Sequence, residues 1–234
     1  MIKILFFDYK HIEIIEGFKR NIEPPKKYGG NPVFVSGHPL EENWISLYGS
    51  VIRKPDGCWQ MWYTTMMNNK KNLVLGYAES EDGIHWKRIE NDAVKINETR
   101  THFVFDREPH GAAIIYDEQE TRENWKYKMI CGASLSGCIS VFHSRDGIHW
   151  IPAQKNPVIG TNPEQAGQLP INGAFDYNIF KSGDSMLWYA QINNKLGSNY
   201  LHRYNFKTGS TFVYEKLSVV LSNFAMTEMD GQFY

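Results

Sequence analysis

The residues best suited to chemistry in this 234-residue chain are acids gathered at a few places. Glu41 and Glu42 form one group, and Asp106 and Glu108, with His110 close behind, form another. Asp176 stands alone, and Glu228 and Asp230 lie near the end. Two carboxylates that converge on one bond can act as acid, base or nucleophile; scattered on polar loops they are solvated charges. Other residue types carry less. His85 and His149 each stand beside a Trp with no second ligand at useful spacing, so neither is read as a metal ligand. Cys58, Cys131 and Cys138 are odd in number and lack a framework spacing, so they are expected as reduced thiols serving as small strand residues. No Gly-x-Ser-x-Gly elbow occurs, and Tyr28-Gly29-Gly30-Asn31 reads as a turn, not a phosphate loop. Asn97-Glu98-Thr99 fits a glycosylation acceptor, a pattern common by chance, and the basic stretch from Lys19 to Lys27 reads as a solvated connector.

The elements that must position the acids follow from an internal repeat. Ser80-Glu81-Asp82-Gly83-Ile84-His85-Trp86 returns as Ser144-Arg145-Asp146-Gly147-Ile148-His149-Trp150, 64 residues on. Gly49, Gly111 and Gly173 open three similar segments spaced by 62, and Asn31-Pro32-Val33 returns at Asn156-Pro157-Val158 after about two periods. Each unit is predicted to be a small antiparallel sheet. The first places strands at 48–54, 59–65, 73–80 and 85–89, with turns at Pro55-Asp56-Gly57, Asn68–Lys71 and Glu81-Asp82-Gly83. The second places them at 110–116, 126–132, 138–144 and 149–152, with a polar insertion from Asp117 to Asn124. The third places them at 175–180, 185–191, 200–205 and 211–214. Four short strands per repeat describe a β-propeller blade, so the Asp-Gly-Ile-His-Trp boxes are expected to be scaffold: a turn and a Trp packed between blades.

Composition agrees. Aromatic residues reach 14%, which favours pleated, half-buried surfaces and an all-β fold. Lys+Arg 25 against Asp+Glu 26 gives a net charge of -1, which argues against a nucleic-acid or anionic-membrane partner. The longest apolar runs are too short to span a bilayer, and the first residues do not read as a signal peptide. The expectation is therefore an intracellular protein, or one whose leader was removed.

The order of Phe7-Asp8, Asn31-Pro32-Val33, Tyr48-Gly49-Ser50-Val51-Ile52, Met61-Trp62-Tyr63, the two boxes and Tyr127-Lys128-Met129 resembles the five-bladed β-propeller glycoside hydrolases, around glycoside hydrolase families 32 and 43. The resemblance implies a funnel at one end of the propeller axis, to which the innermost strand of each blade brings acids. Glycosidic cleavage needs one carboxylic acid to protonate the leaving oxygen and a second carboxylate as base or nucleophile. On that reading Glu41, Asp106 and Asp230, followed by Asp176, are the candidate catalytic residues. Trp44, Tyr48, His110, Asn172 and Tyr177 would bind sugar, because Trp and Tyr stack on apolar sugar faces while Asn and His bond hydroxyls. The remaining Trp residues, among them Trp59, Trp62, Trp125 and Trp188, read as core between blades. No cofactor is implied, and no calcium-loop spacing is recognisable.

Two alternatives stay open. A non-catalytic carbohydrate-binding or degenerate propeller is motivated by the absence of Trp-Met-Asn-Asp-Pro-Asn-Gly, Arg-Asp-Pro and Glu-Cys segments. An inverting glycoside phosphorylase would need a basic cluster, for which only Arg53, Arg107 and His110 offer themselves. The periods divide the chain into a leading segment 1–48 and units at 49–110, 111–172 and 173–234, about three to three and a half blades. That predicts a truncated chain or an open propeller, whose exposed edges a second copy would complete.

Overall fold

A computed structural model describes residues 14, 16–17, 21, 24–68, 72–133, 138–154, 156, 158, 177–182, 185–191, 199–217, 228–229 and 232–233; side-chain placement is defined for these except 133, 138, 177–204 and those beyond 210. The chain divides into two units, Met1–Pro32 and Val33–Tyr234. In the first, the expected turn forms at Tyr28–Asn31, where the Asn31 N–H donates to the Tyr28 carbonyl at 3.2 Å.

Among the described residues the second unit is all-β apart from a single 3-10 turn at Glu123–Trp125, and every strand pairing in it is antiparallel. Its strands are β1 (Glu41–Arg53), β2 (Trp59–Met67), β3 (Leu73–Ser80), β4 (Lys87–Arg88), β5 (Asn91–Ile96), β6 (Thr99–Thr101), β7 (Phe103–Phe105), β8 (Pro109–Tyr116), β9 (Tyr127–Ala133), β10 (Cys138–Ser144) and β11 (Ile151–Pro152). They continue with β12 (Tyr177–Ser182), β13 (Ser185–Gln191), β14 (Asn199–Asn205), β15 (Ser210–Leu217), β16 (Glu228–Met229) and β17 (Gln232–Phe233). Three sheets are meanders in the orders β1-β2-β3-β4, β11-β10-β9-β8 and β12-β13-β14-β15. The first strand of the middle sheet, β8, packs against β1 on one hand and β12 on the other. First strands that neighbour one another in this way are how sheets stack around a common axis.

Two-residue periodicity sorts the core. In the first sheet Trp62, Leu75 and Tyr77 point one way and join Ala112, Ile114, Tyr127, Met129, Cys131 and Phe142 of the second sheet in one buried cluster. Their alternates Met61, Tyr63 and Ala78 point the other way, under Phe34, Ile45 and Trp86. With both faces covered, β2 is buried along nearly its whole length, its polar Gln60, Thr64 and Thr65 included.

The two boxes fold identically. Ser80 Oγ accepts the Asp82 and Gly83 N–H groups, and Asp82 Oδ1 accepts those of Ile84 and His85 at 2.8 Å each. Ser144 and Asp146 repeat every one of these bonds to Asp146, Gly147, Ile148 and His149. Gly83 and Gly147 sit at φ of 77° and 78°, where only glycine is unstrained. The boxes are thus turns, as expected, but the indole that joins the sheets is not mainly theirs. Trp62, fully buried, donates from Nε1 to the Gly147 carbonyl at 2.7 Å and so ties the first sheet to the second box.

The insertion after β8 joins the second sheet to the third. Buried Lys128 reaches Asp117 at 2.6 Å and Glu120 at 3.1 Å, while Trp125 stacks on His143 and meets Phe206 of the β14–β15 turn edge-on at 5.8 Å.

Some predicted boundaries move. β1 begins at Glu41, seven residues before the expected start at 48. The fourth strand of the first unit, expected at 85–89, is only Lys87–Arg88, and β7 takes the other half of that edge by pairing with β3. The β5–β6 hairpin between them was not foreseen; it turns on Asn97 and Glu98, both at positive φ.

Candidate functional site

Strand β1 is where the sequence reading placed sugar contacts, and its backbone explains how they are presented. Between Glu41 and Ile45, and again between Ser46 and Ser50, β1 spends four residues against two of β2, so it bulges twice. A bulge frees a carbonyl from the ladder and re-aims the side chain beside it. The freed carbonyls of Trp44 and Tyr48 are caught by the hydroxyls of Thr65 at 2.7 Å and Thr64 at 2.8 Å. Trp44 and Tyr48 stay 40% and 51% exposed, unusual for aromatic residues in a strand flanked by buried ones. Gly49 is required at the second bulge, because a Cβ there would lie 2.0 Å from the Trp62 carbonyl oxygen.

The same device recurs on β8, which is out of step with β9 between His110 and Ala113, around Gly111 at φ 62°. It sets His110 against Tyr48, rings stacked with centroids 6.0 Å apart and planes at 24°. The His110 Nδ1 is buried and has no hydrogen-bond partner among the described residues. Nearby, Ser50 Oγ accepts the Ile114 N–H at 2.8 Å. Tyr48 and His110 therefore meet where the middle of β1 passes the start of β8, and Trp44 stands four residues earlier on β1.

Glu41, a candidate catalytic carboxylate, is held by a dense set of partners. Its side chain is fully buried and accepts from Tyr63 Oη at 2.6 Å, Arg88 Nε at 2.9 Å and a second Arg88 nitrogen at 2.7 Å. His102 Nε2 lies 2.8 Å from the same carboxylate, and since an ionised carboxylate only accepts, Nε2 carries the proton. Burial alone would raise the Glu41 pKa, but the hydrogen bonds from His102, Arg88 and Tyr63 outweigh it and hold the group at about 2. Burial, with the neighbouring carboxylate, pushes the Tyr63 phenol upward. The guanidinium also lies over Phe34, 4.4 Å from its centroid. This is a fixed anion tying β1 to β2, β4 and the β6–β7 turn. A general acid needs the opposite shift.

Asp106 is exposed on the β7–β8 connection, next to exposed Arg107, and Glu108 follows at φ 51° just before β8. Glu42 is half-buried on β1. Asn172, Asp176 and Asp230 lie outside the described residues, and Tyr177 and Glu228 lie on β12 and β16 without described side chains. Arg53 ends β1, about 16 Å along the strand from Tyr48 at a strand rise of ~3.3 Å per residue, so it does not join Arg107 and His110 in a basic cluster.

His85 and His149 each bond the Asp of their own box, at 2.6 Å and 2.7 Å, and His149 also reaches Asp92 of β5 at 3.1 Å. Among the described residues no group of three or more His, Cys, Asp or Glu is arranged to hold a metal ion. Cys58 and Cys131 are free thiols. What sequence reasoning missed is the set around Glu41: Tyr63, Arg88 and His102 stand 22, 47 and 61 residues away, with no local signal linking them.

No protein-family model matches the chain, and no curated protein matches it. Solved structures do. A fructofuranosidase variant from Schwanniomyces occidentalis, complexed with fructosylnystose, superposes with a TM-score of 0.56 at 14% identity, over 79% of this chain and 36% of its own. The same fructofuranosidase with fructose gives 0.53 at 14%, over 73% and 33%. An exo-inulinase from Aspergillus awamori gives 0.51 at 13%, over 77% and 38%. This chain thus has the fold of β-propeller glycoside hydrolases and spans about a third of the length of these neighbours.

Proposed function

We propose that the protein handles poly- or oligosaccharides on the face where β1 passes the start of β8, and cleaves their glycosidic bonds there. The observation that carries this reading is the pairing of exposed aromatics with an imidazole: Tyr48 stacked on His110, and Trp44 exposed on the same bulged strand. Sugars present an apolar ring face for stacking, which the exposed rings of Trp44 and Tyr48 match. In the reading, Asp106 supplies one carboxylate from the β7–β8 connection, and Asp176 or Asp230 supplies the second. Glu41 holds the sheet that carries the aromatics. A panel of aryl glycosides tests it: turnover of at least one member, lost in Asp106→Asn with the fold retained, supports it. No turnover by a folded protein across the panel counts against hydrolysis.

A second reading, a carbohydrate-binding propeller without turnover, is favoured by one observation. The acid at the start of β1 is ionised, buried and fully engaged, not poised for proton transfer. Glycan binding that survives Asp106→Asn, without release of product, separates the two readings.

A further inference from the structure

Beside this face, on the other side of β8, lies a pocket of about 270 Å³ lined by Phe105, Arg107, Cys131, Gly132, Ser140 and Phe142, with Pro152 and Asn156 at its edge. It adjoins the proposed sugar face directly, because Gly132 is the cross-strand partner of His110, and Arg107 precedes His110 by three residues. Its floor is apolar: Phe105 and Phe142 meet edge to face, centroids 4.8 Å apart, above the buried Cys131. Asn156 is spent on the wall, its side chain clamping the Val141 N–H at 2.9 Å and the Val141 carbonyl at 2.7 Å. Two polar groups remain. Arg107 is exposed and has no ion pair or hydrogen bond among the described residues, and the Ser140 hydroxyl has none either.

We infer that this pocket takes a carboxylate-bearing sugar ring, a hexuronic acid residue, with Arg107 on the carboxylate and the apolar floor at Phe105 and Phe142 against the sugar's C–H groups. The inference rests on the carbohydrate reading above and narrows its substrate class. Among the described residues that line the pocket Arg107 alone is charged, so that lining is cationic. A guanidinium offers two parallel N–H donors that match a carboxylate. One cation over an aromatic floor fits a singly charged ring better than a phosphate, which would call for more cations and no apolar floor. At this volume the pocket suits one ring, not a chain. Asp106 and Glu108 flank Arg107 in sequence without lining the pocket, so they lower the surrounding potential but leave the guanidinium's donors open.

Calorimetric titration of the whole protein with matched pairs tests it: methyl β-D-glucuronide against methyl β-D-glucoside, and methyl β-D-galacturonide against methyl β-D-galactoside, with sodium acetate as the anion alone. The expected result is at least tenfold tighter binding of one acidic member than of its neutral partner, with acetate undetected. Arg107→Gln should bring that acidic affinity down to the neutral one, and thermal unfolding of the variant should be unchanged. Equal affinities within both pairs would overturn the inference and leave the carbohydrate reading standing. Acetate binding as tightly as the uronides would also overturn it, marking a simple anion site. If neither member of either pair binds, the inference falls; if longer neutral oligosaccharides fail as well, the carbohydrate reading falls with it.

Discussion

Replacing Glu41 by Gln separates a structural from a catalytic carboxylate. The native group is held at about 2 against an ordinary 4.5, a difference that corresponds to about 3 kcal/mol of stability at neutral pH. Glu41→Gln keeps the shape, removes the charge, and leaves Arg88 and His102 facing a neutral amide. Breaking a buried pair from one side costs roughly 3–5 kcal/mol, so both routes give a loss of about 3 kcal/mol or more. Because the folded pKa is depressed, this stability is fully present above about pH 4.5 and is lost as pH falls towards 2. Urea unfolding at pH 7 and at steps down to pH 2.5 reads it directly. The gap between wild type and variant should be about 3 kcal/mol at pH 7 and should shrink through that window. Adding Arg88→Met to the variant should recover part of the loss, since the orphaned guanidinium goes with it. A variant as stable as wild type at pH 7 would refute the reasoning; with turnover abolished as well, Glu41 would be chemical and not structural.

Three further outcomes follow from the packing. Gly49→Ala should cost about 3 kcal/mol or more, because the added methyl meets the Trp62 backbone carbonyl, which cannot swing away; chemical denaturation reads this. Trp62→Phe should cost about 1–3 kcal/mol by leaving the Gly147 carbonyl without its donor, and should loosen amide-exchange protection at the second box more than at the first. His149, whose pKa is raised first by its bond to Asp146 and further by Asp92, should stabilise the fold below its ordinary 6.5. That contribution is lost as pH rises through the raised folded value. With the side chain 54% exposed, solvent screening keeps the effect under about 1 kcal/mol, and His149→Gln should flatten it in thermal unfolding scans.

Much of the scaffold was legible because turns and periodicity are local. Each Asp-Gly-Ile-His-Trp box writes its own turn, since one Ser and one Asp side chain satisfy the backbone N–H groups around a positive-φ glycine. The glycines at 49 and 111 marked the repeat and prove to be where the first strands bulge. The early start of β1 was hidden because Glu41-Glu42-Asn43 are poor strand formers on propensity, and two bulges erase the alternation that would betray a strand. The split fourth strand, shared by β4 and β7, was hidden because two-residue and three-residue pairings leave no periodic signal. Trp44, Tyr48 and His110 are proposed by residue type near the head of a strand, and geometry adds that two of them stack. Glu41 was found by the same logic and has a different environment, because the partners that fix its charge come from β2, β4 and the β6–β7 turn. Position ahead of a repeat marks where an acid stands; tertiary contacts decide whether its proton can move.

Oligosaccharide binding to the β1–β8 face tests the central claim most directly. Ligand-observed NMR with a panel of neutral and acidic oligosaccharides, on wild type and on Tyr48→Ala, should show saturation transfer to sugar ring protons for at least one member. In the variant that transfer should be weakened at least tenfold, with the stability of the fold unchanged. Transfer that is identical in the variant, or absent for every sugar with the protein folded, would contradict the account.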